Sequence, residues 1–200
     1  MRCFFLKSLS GTVKSVLVEL ANALEGLEGW GLFAGAANVF YGVDHPVNDL
    51  DFFYDLKAEQ KLLNALHSFK PCKPFLQKKA SMTSKKFGFL LNGFEIEFCA
   101  DFSWSFAGKM SLIFDSQMQA RINWFDFENA KLPVLSAEDN IVLKAILQRG
   151  KEYNKTDIED VKGLLKNNNL DFEYIRQRAI KCNAEQRVTN LIENLQSGLA

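Results

Sequence analysis

The stretch that decides the fold runs from Gly31 to Phe53 and reads GLFAGAANVFYGVDHPVNDLDFF. It ends in a second apolar segment that carries Asp49 and Asp51, one residue apart. In a β-strand, residues i and i+2 project from the same face, so these two carboxylates would point to one side. Like charges this close repel each other, and a divalent cation removes the conflict. The pattern predicts a Mg²⁺ or Mn²⁺ site, and the alternative is a strand edge with two solvated acids.

A turn of small residues precedes the acidic pair. The short apolar segment Trp30–Phe33 predicts a strand, Ala34-Gly35-Ala36 a tight turn, and Ala36–Tyr41 a brief helix. Such a junction exposes backbone N–H groups at a helix N-terminus, where phosphate binds readily. Close packing of an ordinary turn would explain the same residues. A phosphate-binding turn shortly before a carboxylate pair is the rarer combination, and it indicates a site for a Mg²⁺–nucleotide.

The rest of the sequence predicts a sheet followed by helices. Apolar residues at helical spacing predict a helix after Ser10 and another over Leu62–Phe69, and Asn92-Gly93 is a strong signal for a β-hairpin. From Ser136 onwards the patterns are helical. We therefore expect an α+β fold, in which residues 1–132 form a small mixed β-sheet with flanking helices and residues 133–200 form a helical region packed on that core.

Composition narrows the class of protein. The chain has 24 basic and 24 acidic residues and a sequence pI near 6.7, so its total charge demands neither nucleic acid nor membrane as a partner. Its four cysteines form no C-x-x-C pair, which favours a reducing compartment and makes a zinc site a poor prospect. No apolar run approaches the roughly 20 residues of a membrane helix, and the apolar run at the start is too short for a signal peptide. We expect a cytoplasmic protein.

The motifs resemble those of the nucleotidyltransferase superfamily that includes DNA polymerase β. More narrowly, they resemble its minimal prokaryotic branch with the AbiEii-type toxins. The resemblance covers residues 28–180. It rests on Ala34-Gly35-Ala36-Ala37 and Asp49-Leu50-Asp51-Phe52, followed in order by Glu138–Lys144, Arg149-Gly150 and Lys155–Asp160.

The resemblance implies a reaction and a role for each matching residue. The reaction transfers a nucleoside monophosphate from an NTP to a hydroxyl and releases pyrophosphate. A third acid from a neighbouring strand completes the metal site; Glu97 is favoured, Glu95 is the reserve, and an ordinary acidic strand face is the alternative. Lys144 contacts phosphate or substrate. The implied metal ligands are Asp49, Asp51 and Glu97, and the implied nucleotide-binding residues are Ala34, Gly35, Ala36, Asn38 and His45.

Other charged residues have two interpretations each. Asp157 and Asp160, three apart on a helix, would brace Arg149 or Lys144, or would form solvent-facing ion pairs. Six lysines would contact nucleic-acid phosphates or form a solvated loop. They are Lys70, Lys73, Lys78, Lys79, Lys85 and Lys86.

Two departures from the family pattern favour a second function. Relatives often carry Ser at the second turn position, where this chain has Gly35 or Ala36. Many also carry Arg and a Ser or Thr before the first aspartate, where this chain has His45 and Val47. The alternative is therefore a weak or inactive nucleotidyltransferase-fold module that binds nucleotide or a protein partner, as in toxin–antitoxin pairs. The acceptor of an active enzyme would be RNA, protein or a small molecule.

Overall fold

The structure, a computed structural model, describes residues 9–69, 75–79, 81–105, 109–153 and 155–198. Short 3-10 turns lie at Leu56–Ala58, His67–Phe69 and Lys151–Tyr153. The helices are α1 Gly11–Ala23, α2 Ala34–Phe40, α3 Glu59–Ala65, α4 Ser116–Ala120, α5 Ala137–Leu147, α6 Asp157–Asn167, α7 Phe172–Lys181 and α8 Glu185–Ser197. The strands are β1 Trp30–Phe33, β2 Asp49–Tyr54, β3 Phe75–Lys79, β4 Met82–Leu91, β5 Phe94–Trp104, β6 Met110–Leu112, β7 Asn123–Phe127 and β8 Ala130–Val134.

The eight described strands form one mixed sheet. Their order is β3-β4-β5-β2-β1-β8-β7, with β6 paired to β5. β2 runs antiparallel to β1 but parallel to β5, and β1 runs parallel to β8. With helices packed on this sheet, the α+β prediction is confirmed.

Each face of the sheet has its own hydrophobic core. On β2, Leu50, Phe52 and Tyr54 belong to a core that includes the buried residues of α1. Phe53 belongs to a second core, built with α5 and with buried residues of α6, α7 and α8. Because side chains alternate along a strand, Asp49 and Asp51 share the face of Phe53. The two acids therefore face the C-terminal helical layer.

The structure differs from the sequence prediction at two junctions. α2 begins at Ala34, directly after β1, because Ala34 adopts φ +59° and makes the turn by itself. The sequence predicts one strand over residues 121–127, and the structure adds β8 immediately after it. The sequence does not predict β8 because it contains Pro133, and proline is normally unfavourable inside a sheet.

The proposed division at residues 132 and 133 falls within β8, which pairs with both β1 and β7. A division of the chain into a core and a helical region remains a proposal. Among the described residues, none of the helices has the length and apolar character needed to cross a bilayer.

Candidate active site

Acidic side chains of β2 and β5 meet because the two strands are parallel and in register. Asp51 is the partner of Glu97, and Asp49 is the partner of Glu95. Ligand atoms of Asp51, Glu97 and Cys99 all lie within 4.8 Å of one another. Asp49 is exposed at the start of β2 and lies outside this group of three. The structure thus brings Asp51 and Glu97 together and leaves Asp49 at the rim.

Negative charge accumulates at Asp51. Burial and the charges of Asp49 and Glu97 raise the pKa of Asp51 from 3.8 to about 7, against the opposing effect of Lys86 and Lys144. A divalent cation would relieve this repulsion, since carboxylate oxygens are its preferred ligands. These carboxylate groups therefore suit Mg²⁺ or Mn²⁺ as the bound cation.

The turn between β1 and α2 is held from a distant helix. The Ala34 N–H donates to Asn140 Oδ1 of α5 at 2.8 Å. Ala34 has the left-handed conformation (φ +59°), and Gly35 follows it in the first turn of α2. Neither residue brings a hydroxyl group. The turn offers open backbone next to the acidic residues.

Two predicted nucleotide-binding residues lie away from the cleft. The Ala36 and Asn38 side chains are 4% and 0% exposed and point into the protein. Both polar atoms of the Asn38 amide lack a hydrogen-bond partner among the described residues. Ala36 and Asn38 differ from Gly35 because the side chains that follow Gly35 on α2 turn inwards against the sheet and the neighbouring helices.

His45 packs directly on Gly35. A Cβ atom added to Gly35 would lie only 2.4 Å from His45 Nε2. The other ring nitrogen, Nδ1, lies 2.9 Å from Asp160 Oδ1. Since an ionised carboxylate only accepts, Nδ1 carries the hydrogen of this bond. Asp160 thus orients the imidazole so that Nε2 faces the turn.

Lys144 lies at the centre of a buried charge network. Its Nζ atom is 3.0 Å from Asp157 Oδ1 and 2.8 Å from Asp160 Oδ2. Arg149 Nε lies 2.7 Å from Asp157 Oδ2. The two aspartate side chains are 0% and 2% exposed, so these are not solvent-facing ion pairs. The aspartates brace both cations at the edge of the site.

These groups surround one cleft of about 340 Å³. Its turn side presents Ala34, Gly35 and His45, and its acidic side presents Asp49 and Asp51. Its cationic side carries Lys144, Arg149, Lys151 and Lys155. A cleft with carboxylates on one wall and ammonium and guanidinium groups on another suits a metal-bound phosphate chain.

Sequence reasoning missed two residues beside the acids. Cys99 follows Glu95 and Glu97 at a spacing of two residues, so the alternation of the strand could have predicted that it shares their face. Lys86 Nζ lies 2.5 Å from Glu97 Oε2, whereas the sequence groups Lys86 with a basic stretch.

The basic stretch is not one continuous surface. Lys85 pairs with Glu59 at 2.8 Å, and Lys86 pairs with Glu97 on the other face of β4. Lys70 and Lys73 lie outside the described residues, as do the side-chain details of Lys79. Lys78 is exposed on β3. Two of the six lysines are thus already engaged by carboxylates.

Comparison with solved structures identifies the fold. TM1012 from Thermotoga maritima, a candidate nucleotidyltransferase, matches with a TM-score of 0.58 and 17% identity, covering 77% of this chain and 92% of the other. An antigenic nucleotidyltransferase-like protein from Paracoccidioides brasiliensis matches with a TM-score of 0.54 and 18% identity, covering 94% and 89%. ANT(2'')-Ia, solved with adenylyl-2''-tobramycin, matches with a TM-score of 0.54 and 10% identity, covering 88% and 99%.

No protein-family profile and no curated protein matches the sequence. The structural matches nevertheless agree on one architecture. The chain has the nucleotidyltransferase fold, and the predicted resemblance is confirmed at that level. The narrower assignment to the AbiEii-type branch stays a prediction.

Proposed function

We propose that the protein is a metal-dependent nucleotidyltransferase. It would transfer a nucleoside monophosphate from an NTP to a hydroxyl group. The observation that carries the proposal is the composition of the cleft, which combines an open backbone turn, two carboxylates and four cationic side chains. An acidic group whose pKa is raised to about 7 at the edge of a cleft is typical of a functional site and supports this proposal.

Asp49 and Asp51 are the residues that would hold Mg²⁺ or Mn²⁺. Their carboxylates share one face of β2, and the ionised form of Asp51 is disfavoured without a cation. When bound, the ion would neutralise phosphate charge and lower the pKa of the acceptor hydroxyl.

The phosphate chain would bind between the turn and the cationic wall. Gly35 brings no side chain to this position, and His45 Nε2 faces it as an acceptor, because Nδ1 carries the hydrogen of the neutral ring. Arg149 is held against Asp157, so its geometry is fixed before substrate arrives. Lys151 and Lys155 are exposed on the same wall and would attract the triphosphate.

The chemistry is a displacement at the α-phosphorus. A bond forms between the acceptor oxygen and this phosphorus, and the bond to the bridging oxygen of pyrophosphate breaks, so pyrophosphate leaves. The hydroxyl proton must pass to a base, and Glu97 is the candidate because it adjoins Asp51 and because Lys86 binds Oε2, which leaves Oε1 to accept the proton. Most of the acceleration would come from positioning and charge neutralisation.

The acceptor is a hydroxyl group of RNA, of protein or of a small molecule. ANT(2'')-Ia, solved with adenylyl-2''-tobramycin, is an example in which the acceptor is a small molecule. A cytoplasmic location and membership of the AbiEii-type branch accompany this proposal.

The test measures nucleotide binding and pyrophosphate release together. The protein is incubated with Mg²⁺ and each of the four NTPs, with total cellular RNA and protein as acceptors. We expect binding and release, both lost in Asp49→Ala. Asp126→Ala, which removes an exposed strand aspartate on β7, is the matched control and should behave as wild type. Equal binding by wild type and Asp49→Ala would contradict the proposal.

A second function is favoured by the turn itself. Neither Ala34 nor Gly35 supplies the hydroxyl that often holds a phosphate oxygen in relatives. The chain would then bind nucleotide or a protein partner without turnover. Metal-dependent NTP binding without pyrophosphate release, for every acceptor, would identify this module.

A further inference from the structure

We propose that the Lys86 ammonium takes the place of the second divalent cation, so that the site binds one metal ion rather than two. The inference rests on the proposed function. Related reactions that use two ions place positive charge beside both the attacking and the leaving oxygen. Here a side chain of β4 already provides one of those charges.

Lys86 is placed in the site by the register of the sheet. It is the partner of Cys99, whose Sγ atom belongs to the group formed with Asp51 and Glu97. The adjacent Lys85 points to the other face, where it pairs with Glu59. The side chain of Lys85 is 38% exposed and that of Lys86 is 10% exposed. One lysine of the pair is a surface group, and the other is built into the site.

The Lys86 ammonium already occupies an oxygen that a second ion would need. Lys86 Nζ lies 2.5 Å from Glu97 Oε2. A divalent cation that used the same oxygen would stand beside the ammonium group, and the two like charges would repel each other. The ammonium would have to leave first, yet Lys86 as a whole residue is only 8% exposed.

Glu97 therefore acts as the counter-ion of Lys86 and not as a ligand of the single ion. Gly88, the register partner of Glu97 on β4, brings no side chain that could compete for this carboxylate. Asp49 and Asp51 remain available to the metal on the cleft side. The site then combines the Lys86–Glu97 ion pair with one divalent ion held by Asp49 and Asp51.

The test counts bound Mn²⁺ by equilibrium dialysis in the presence of inorganic triphosphate, which carries the phosphate chain without a base. We expect one ion per wild-type chain and two per chain in Lys86→Gln, because the second position is vacated. Lys85→Gln, the neighbouring lysine on the opposite face, is the matched control and should bind one. The double variant Lys86→Gln/Glu97→Gln should return to one. Two ions in wild type, or one in folded Lys86→Gln, would overturn the inference.

A second variant keeps the test decisive if Lys86→Gln does not fold. Glu97→Gln should still bind one Mn²⁺ ion, with an affinity no more than about a hundredfold below wild type, since Glu97 adjoins Asp51 without being a ligand. A larger loss would overturn the inference, because it exceeds the roughly 10–100-fold cost of changing a group that only neighbours a ligand. Wild-type protein that binds no Mn²⁺ would reject the proposed function itself, whereas two ions would reject only the role of Lys86.

Discussion

Two pairs of aspartates, one lining the cleft and one buried behind its cationic wall, differ in how their charge is balanced. On β2, burial and the charges of Asp49 and Glu97 raise the pKa of Asp51 to about 7, although Lys86 and Lys144 act against this rise. On α6, burial acts against Asp157 and Asp160, yet Arg149, Lys144 and His45 keep the pKa of each carboxyl below its usual value. The α6 pair is complete within the chain. The β2 pair is incomplete and calls for a cation from solution.

The largest expected effect is on the complete pair. In Asp157→Ala, the buried Lys144 and the Arg149 guanidinium lose a shared partner that is 0% exposed. Breaking a buried ion pair in this way costs about 3–5 kcal/mol. Urea unfolding should give that loss in the free energy of unfolding. A loss below 1 kcal/mol would mean that α6 does not depend on its charge network.

The next effect sharpens the contrast, because the same type of change at Asp51 should stabilise. Folding raises the pKa of Asp51 from 3.8 to about 7, so between these values the folded chain binds more protons than the unfolded chain. The metal-free free energy of unfolding therefore falls as pH rises through this window. In Asp51→Asn this decrease of the free energy of unfolding with rising pH should be absent.

At pH 8 we expect Asp51→Asn to gain of the order of 2 kcal/mol, since one pKa unit corresponds to about 1.4 kcal/mol and water in the cleft screens part of the repulsion. Unfolding curves at pH 5 and pH 8 without metal would measure it. Parallel pH profiles for Asp51→Asn and wild type would contradict the idea that the β2 pair is incomplete.

The smallest effect concerns the contact that links the two regions. Gly35→Ala would place a Cβ atom 2.4 Å from His45 Nε2, and Asp160 anchors that ring on its other side. We expect a loss of about 1–2 kcal/mol, as for other overpacked sites. In a His45→Ala background the same change should be neutral or slightly stabilising, because alanine is favoured over glycine in a helix. A double-mutant cycle measures the coupling, and additive effects would rule out the contact.

Local patterns predicted part of the acidic half of the site. Period-two alternation put Asp49 and Asp51 on one face, and the family resemblance favoured Glu97 over Glu95 on a neighbouring strand. The register of β2 with β5 brings Asp51 beside Glu97 and leaves Asp49 at the rim. Lys86 escaped this reasoning because its meaning depends on which face of β4 is buried. The sequence alone does not distinguish Lys85 from Lys86, whereas in the sheet their side chains lie on opposite faces of β4.

The contacts that organise the turn were out of reach for a different reason. His45 meets Asp160 across 115 positions, and Ala34 meets Asn140 across 106. Such pairs arise from the packing of α5 and α6 on the sheet and leave no periodic trace in the sequence. The inward-facing Asn38 is the reverse case, since proximity in sequence to the turn suggested a role that its position on α2 does not support.

The hydrogen bond from Ala34 to Asn140 has a mechanical consequence. Ala34 holds a left-handed backbone that alanine adopts at a cost of about 1–2 kcal/mol, and the amide that secures it belongs to a helix more than a hundred residues later. The turn at one side of the cleft is thus tied to the C-terminal helices. A movement of α5, such as one caused by the docking of another molecule on the helical side, would therefore also act on the Ala34 turn through this hydrogen bond.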